Sequence, residues 1–179
     1  MKIQNIKIRK IRRTDLPYFL KWWKDETLIE LTSGEYEKSE DVLRGYYIKM
    51  LNAQNDRHYA ILCGSKIIGN ISLIRKNKNI FEISIIIGEK KYWGAGIGQA
   101  AIERLLKIAF DKLGYKKAYI EVRPENLRAI KLYKKCGFIE AGFKKDIKNK
   151  NQPVVLKMIL TKNHWLRKIL LVNKAVAVD

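Results

Sequence analysis

The sequence has few of the residues that form covalent cross-links and metal sites. It contains two cysteines, Cys63 and Cys136, and two histidines among 179 residues. These numbers are too small for a disulfide framework or a structural zinc site. No unbroken apolar run approaches the roughly 18 residues of a membrane span. Residues 1–5, MKIQN, also carry charge where a signal peptide has its apolar stretch. We therefore expect a cytoplasmic protein without a metal.

Acidic residues are also scarce. Eighteen Asp and Glu stand against 37 Lys and Arg, so the net charge is +19. Such a surplus indicates an anionic partner, namely nucleic acid, a phosphate-bearing ligand or a membrane surface. The basic residues extend from Lys2 to Lys174 without a zinc-finger, RNP or repeat motif. A phosphate-rich cofactor therefore explains part of the charge better than specific nucleic-acid binding does.

Apolar periodicity predicts one α/β domain over residues 1–160 with a mixed, mostly antiparallel sheet. The first predicted elements are a strand over Ile3–Ile11, a helix capped by Thr14 and running through Glu26, and a helix from Ser39 to Asn52. Three strands follow, over His58–Leu62, Lys66–Ile74 and Ile80–Ile87, and then a helix that opens at Gly94–Gly98 and ends near Leu113. The last elements are a strand over Lys117–Val122, a helix over Asn126–Cys136, and two strands that bracket a Lys/Asn-rich hairpin between Phe143 and Val154–Leu160.

Residues 161–179 form a basic, amphipathic extension beyond this domain. Trp165, Leu166 and Ile169 alternate with basic residues such as Arg167 and Lys168. Such a segment packs on its own domain, pairs two subunits or contacts an anionic membrane. Its short apolar run favours packing or a homodimer contact.

The most informative segment leads from the strand Ile80–Ile87 into Gly94-Ala95-Gly96-Ile97-Gly98. Glycines let the backbone approach a ligand, and a helix N-terminus offers free N–H groups, so the segment suits a pyrophosphate. A tight strand-to-helix turn without a ligand is the alternative. A Walker loop is excluded because no Gly-Lys-Ser/Thr follows. The three preceding antiparallel strands disfavour a Rossmann site.

Two motifs resemble those of the GCN5-related N-acetyltransferase (GNAT) family. Residues 86–98 (IIGEKKYWGAGIG) resemble its acetyl-coenzyme A loop, and residues 126–138 (NLRAIKLYKKCGF) resemble its next motif. The element order agrees from about Ile6 to Leu160. Trp93 stands where the family usually has Gln or Arg, a form similar to the RimJ/RimL-like branch that acetylates ribosomal-protein N-termini.

The resemblance implies a single-domain GNAT fold with splayed fourth and fifth strands, and acetyl-coenzyme A as the acetyl donor. With the guanidinium missing at position 93, Lys90 or Lys91 is expected near the phosphates. The N–H of Ile87 is expected to donate to the oxyanion. The implied cofactor-binding residues are Ile86, Ile87, Gly88, Trp93, Gly94, Ala95, Gly96, Ile97, Gly98, Gln99 and Asn126. Asn126 is also suited to cap its helix.

The resemblance also supplies the candidate catalytic groups. Tyr133 matches the family's general acid, which protonates the departing thiolate, although a core tyrosine is the alternative. Glu82 is the candidate base, alone or through a water, and equally a partner for a neighbouring lysine. Glu121 and Ser84 are the reserve candidates. Nothing near Cys136 indicates an acyl-cysteine, so we expect direct transfer in a ternary complex.

The acceptor side is expected on the first two helices. Trp22, Trp23 and Tyr46 are the candidate acceptor-binding residues, and core packing is the alternative for some of them. Asp25, Glu26 and Glu30 offer carboxylates to a cationic acceptor, or form a solvated helix face. The resemblance favours a protein or peptide N-terminal amine. The alternatives are an amino sugar or aminoglycoside acceptor, and a non-catalytic acyl-coenzyme A-binding module. The charge of +19 disfavours polycations.

Overall fold

The computed structural model describes residues 6–32, 38–145 and 154–176, with side chains up to residue 171. These residues form one sheet and the helices that flank it. The strands are β1 (Ile6–Lys10), β2 (Arg57–Cys63), β3 (Lys66–Arg75), β4 (Ile80–Ile86), β5 (Lys117–Val122), β6 (Ile139–Lys145) and β7 (Val154–Thr161). The α-helices are α1 (Leu16–Trp23), α2 (Glu26–Leu31), α3 (Glu40–Leu51), α4 (Ile97–Lys107), α5 (Leu127–Cys136) and α6 (Lys162–Val176).

The sheet has the strand order β1-β2-β3-β4-β5-β7-β6. Neighbouring strands are antiparallel, except that β4 and β5 are parallel. These two strands pair only from Ile80 to Glu82 against Lys117 to Tyr119, and beyond that point they diverge. The predicted mixed sheet with splayed fourth and fifth strands is thereby confirmed.

The larger core lies between one face of the sheet and helices α4 and α5. Phe81 and Ile83 of β4 and Ile120 of β5 point into it and are almost fully buried. Trp165 of α6 enters the same core, with its ring 5.3 Å from that of Phe110. Of the roles predicted for the C-terminal extension, the described part therefore shows packing on its own domain.

A second, smaller core lies on the opposite face of the sheet, beneath the first helices. Phe19 and Trp22 of α1 pack with Leu28 of α2 and Tyr47 of α3. The Phe19 and Tyr47 rings lie 4.8 Å apart in an edge-to-face arrangement, a favourable aromatic geometry. Ile86 packs against this core, so these helices lie beside the end of β4.

The first predicted helix is wrong at its C-terminal end. The helix ends at Trp23, and Asp25 caps a separate helix, α2, by accepting a hydrogen bond from the Leu28 N–H at 3.1 Å. Thr14 lies in a 3-10 turn before α1 rather than at a helix cap. The helix predicted to end near Leu113 changes to a π-helical turn at Ile108–Lys112. The predictions for residues 3–5 and 146–153 lie outside the described residues.

Candidate active site

A cavity of about 770 Å³ occupies the gap where β4 and β5 diverge. Its volume is typical of a small-molecule site. One wall is the free end of β4 from Ile83 to Ile87, and the opposite wall is the start of α5. The glycine-rich segment before α4 forms one end, and α2 contributes Leu28, Leu31 and Thr32. The sheet topology thus creates the site, since paired strands would close this gap.

The glycine-rich segment has the backbone geometry of an anion site. Gly94 and Gly96 have φ angles of 78° and 75°, a left-handed conformation that glycine adopts without strain. Gly96 is the N-cap of α4, so the first N–H groups of that helix have no acceptor within it. A Cβ on Gly98 would lie 2.8 Å from a methyl group of Leu132. The segment therefore brings free N–H groups close to the cavity, as a diphosphate requires.

Trp93 has two contacts that position it beside this segment. Its indole Nε1 donates to the carbonyl oxygen of Ile87 at 2.7 Å. The Arg128 guanidinium lies over the indole face, 3.6 Å from the ring centroid, in a cation–π arrangement. Both side chains line the cavity. Arg128 of α5 thus supplies a guanidinium beside position 93, where the sequence has tryptophan instead of arginine. The sequence reasoning did not identify Arg128.

The structure does not bring the predicted Lys90 and Lys91 to the cavity. Lys90 forms an ion pair with Asp25 at 2.9 Å and a hydrogen bond with the Thr27 hydroxyl at 3.0 Å. Lys91 lies over the ring of Tyr92. Lys90 therefore links the loop between β4 and α4 to the start of α2. Arg128 is instead the cation that lies beside Trp93 and the glycine-rich segment.

Tyr133 lies on α5 and contributes to the cavity wall while being 6% exposed. Burial raises the pKa of its hydroxyl well above the ordinary value, so the phenol keeps its proton at neutral pH. Burial likewise raises the pKa of Cys136 to about 12. That cysteine is therefore a neutral thiol and a poor nucleophile.

Glu82 projects from β4 on the face opposite Phe81 and Ile83, as the strand alternation predicts. Its carboxylate accepts a hydrogen bond from the Tyr119 hydroxyl at 3.0 Å. It also forms an ion pair with Lys76 at 2.6 Å. Burial and the charge of Glu82 raise the pKa of Tyr119 to about 12, so this hydroxyl remains a donor. The predicted lysine partner is thus present, and the carboxylate still lines the cavity.

The reserve carboxylate, Glu121, has a similar arrangement. It lies on β5 and forms an ion pair with Lys144 of β6 at 3.0 Å. Glu121, Lys144 and the other reserve candidate, Ser84, all line the cavity. The sequence reasoning predicted a lysine partner for Glu82 without identifying Lys76, and it predicted none for Glu121, because only the folded sheet brings Lys144 of β6 near β5.

Asn126 is the N-cap of α5, as predicted. Its side-chain oxygen accepts from the Ala129 N–H at 3.1 Å. Its amide nitrogen donates to the carbonyl oxygen of Leu31 at 3.3 Å. The residue therefore caps one helix, joins it to α2 across the cavity and lines the cavity itself.

Most of the predicted cofactor residues come together at the cavity, but two of them do not line it. Those in the lining are Ile86, Ile87, Trp93, Gly94, Gly96, Ile97, Gly98, Gln99 and Asn126. Gly88 and Ala95 are absent from it. A Cβ on Gly88 would lie 2.2 Å from the indole of Trp22, so Gly88 provides room for that side chain.

The predicted acceptor residues Trp22, Trp23 and Tyr46 also lie outside the cavity lining. Trp22 is 1% exposed, and its indole donates to Glu89 at 3.1 Å. Trp23 packs against the smaller core, and Tyr46 is exposed on α3. For these residues the structure shows packing or solvent exposure. Within the described ranges no cluster of metal-ligating side chains occurs, and no helix there has the length and apolar character needed to cross a bilayer.

Comparison with known proteins agrees with this architecture. Residues 5–139 match the family described as "Acetyltransferase (GNAT) domain". Spermidine N(1)-acetyltransferase from Vibrio cholerae is 30% identical over 138 residues, which are 75% of this chain and 79% of the relative. The crystal structure of that organism's spermidine N-acetyltransferase with CoA and spermine superposes with a TM-score of 0.81 at 26% identity, covering 91% of this chain and 99% of the other.

A third comparison concerns the fold alone. Aminoglycoside acetyltransferase AAC(6')-Ib in complex with coenzyme A has a TM-score of 0.77 at 20% identity, covering 90% of this chain and 98% of the other. The family match and the relatives given before it define an acyltransferase that acts on amines. The chain belongs to the GNAT acetyltransferase family, and it is an N-acetyltransferase that takes its acetyl group from acetyl-coenzyme A.

Proposed function

We propose that this enzyme transfers acetyl directly from acetyl-coenzyme A to the primary amine of a small molecule. The observation that carries the proposal is the divergence of β4 and β5 after Glu82 and Tyr119. It opens one cavity that has the glycine-rich segment at one end and both Tyr133 and Glu82 in its walls. A donor and an acceptor can therefore meet between an acid and a base.

The cofactor end supports binding through main-chain amides and one cation. The N–H groups from Gly94 to Gln99 surround the start of α4, where the helix dipole favours negative charge. Arg128, held on Trp93, adds the positive charge that a diphosphate pairs with most effectively. Ile86 and Ile87 border the gap, so their backbone is available to the pantetheine arm and to the developing oxyanion.

The proposed chemistry needs three proton movements and one acyl transfer. Glu82, directly or through a water, accepts a proton from the acceptor ammonium. Glu82 passes this proton to solvent, and the free amine attacks the thioester carbonyl, so that a C–N bond forms. As the C–S bond breaks, the nitrogen loses its second proton to solvent, directly or through Glu82, and becomes the amide nitrogen. Tyr133 donates its proton to the departing thiolate and later regains one from solvent. Burial raises the pKa of Tyr133, so the phenol carries the proton that it donates.

The relatives favour a small-molecule acceptor over the peptide N-terminus and the RimJ/RimL-like branch expected from the motifs. The Vibrio cholerae relative is named for spermidine, a small amine. Direct transfer is supported by the state of Cys136, whose protonated, buried thiol is unsuited to carry an acetyl group.

The proposal is tested by measuring thiol release from acetyl-coenzyme A with a panel of amines. The panel contains spermidine, hexosamines, an aminoglycoside and short peptides with free N-termini. We expect turnover with at least one small amine and little with the peptides. Turnover confined to peptides would restore the N-terminal acceptor. Tight coenzyme A binding without turnover of any amine would favour the non-catalytic acyl-coenzyme A-binding module.

A further inference from the structure

The charge of the cavity points to a property of the acceptor. Among the described residues that line it, seven side chains are basic and only two, Glu82 and Glu121, are acidic. One of the basic residues, Arg128, lies beside the glycine-rich segment. Lys76 instead pairs with Glu82 of β4, and Lys144, which precedes Lys145 at the end of β6, pairs with Glu121 of β5. The surplus of positive charge therefore extends beyond the cofactor's phosphates.

Both cavity carboxylates already have a cationic partner from this chain. The Lys76 ammonium lies 2.6 Å from Glu82, and the Lys144 ammonium lies 3.0 Å from Glu121. Partial burial acts to lower the pKa of Lys76, but the hydrogen bond and charge of Glu82 outweigh it, so the pKa is raised and the ammonium stays charged. A polyamine would have to compete with these two lysines for the carboxylates.

The neighbouring groups add positive rather than negative charge. Lys157 of β7 lies beside Glu121 in the sheet register, with its ammonium 4.3 Å from the centre of the Tyr119 ring. The acids predicted to receive a cationic acceptor are elsewhere. Asp25 pairs with Lys90, and Glu26 and Glu30 are exposed outside the cavity lining.

We propose that the acceptor is a small primary amine that also carries a phosphate or carboxylate, which the Lys76–Lys144–Lys145 side of the cavity receives. This proposal rests on the acetyltransferase function proposed above and narrows its substrate class. A polycation such as spermidine is then a poor acceptor, although the Vibrio cholerae relative is named for it. The anion pairs with the lysines while the amine faces Glu82 and the thioester.

The test compares matched amines that differ by one phosphate. We would measure kcat/KM for ethanolamine against phosphoethanolamine, and for glucosamine against glucosamine 6-phosphate, with spermidine alongside. We expect the phosphate-bearing member to be favoured at least about tenfold, with the preference reduced at high salt. The Lys144→Gln variant should lose most of that preference. Lys107→Gln is the matched control, since this lysine is an exposed α4 residue outside the cavity lining.

A binding measurement keeps the inference testable if none of these amines is turned over. The protein saturated with desulfo-coenzyme A is titrated with inorganic pyrophosphate or with spermidine in a calorimeter. We expect pyrophosphate to bind, several-fold more weakly in Lys144→Gln, and spermidine to give no heat. The anionic acceptor would be overturned if spermidine bound and pyrophosphate did not. It would also be overturned if a neutral amine or spermidine were the best substrate. Either result would leave the acetyltransferase proposal intact. The absence of turnover with every amine in the broader panel would instead overturn that proposal.

Discussion

Replacing Arg128 tests whether the stacked guanidinium binds the cofactor's diphosphate. The Arg128→Gln variant removes the charge 3.6 Å above the Trp93 ring and leaves a shorter, neutral polar side chain. A hydrogen bond to a charged group contributes about 1.5–3 kcal/mol. Because Arg128 is exposed, solvent screens this interaction. We therefore expect a loss of about 1–2 kcal/mol, which corresponds to coenzyme A binding weakened by about 5- to 30-fold.

The assay is calorimetric titration of each variant with coenzyme A and with pantetheine, which lacks the diphosphate. The loss should appear with coenzyme A and be absent with pantetheine. Arg128→Lys keeps the charge but not the planar stacking, so it should fall between the wild type and Arg128→Gln. A Trp93→Leu variant should make the Arg128 substitutions less costly, because the guanidinium is then no longer held in place. An unchanged dissociation constant in a folded Arg128→Gln protein would refute the assignment.

Three further substitutions test separate parts of the structure. Tyr133→Phe should lower kcat by about 100-fold or more with unchanged coenzyme A affinity, since general acid catalysis contributes about 10²–10⁴; an unaltered kcat would exclude the tyrosine as the acid. Gly88→Ala forces a Cβ against Trp22 and should destabilise the fold by about 1–3 kcal/mol in thermal unfolding. Gly45→Ala is the control, because a Cβ at Gly45 meets open space, and it should not destabilise the fold. Trp165→Ala should cost about 3–5 kcal/mol in denaturant unfolding; a change below about 0.5 kcal/mol would show that the C-terminal helix contributes little to the core.

The element order and the position of the glycine-rich segment could be predicted because both depend on local sequence. Strand alternation placed Glu82 on the face opposite Phe81, and the structure agrees. The capping role of Asn126 also follows from its own segment, where its side chain bonds the Ala129 N–H. Features within one turn or one strand are thus the ones that sequence patterns report reliably.

The contacts that define the site join segments that are distant in sequence, and no local pattern reports them. The sequence makes Trp22 a candidate acceptor residue, since the spacing of aromatic residues on a helix does not distinguish an acceptor contact from core packing. The structure seats it against Gly88, in a space that the missing Cβ leaves. Arg128 and Trp93 meet only because α5 packs beside the start of α4. Such pairings depend on how the elements pack, which the residues of one element do not determine.

The net charge of +19 illustrates the same distinction for the acceptor. A total charge states how the whole molecule repels a cation at long range, but exposed charges beyond about 10 Å are largely screened at moderate salt. What an acceptor meets is the local set of Lys76, Lys144, Glu82 and Glu121. There Glu82 pairs with Lys76 and Glu121 pairs with Lys144, so a cation gains no unpaired carboxylate among these residues. Because the charges of these two pairs cancel, the surplus positive charge beside them comes from Lys145 and Lys157. The location of the lysines, rather than their number, therefore supports an acceptor with an anionic group.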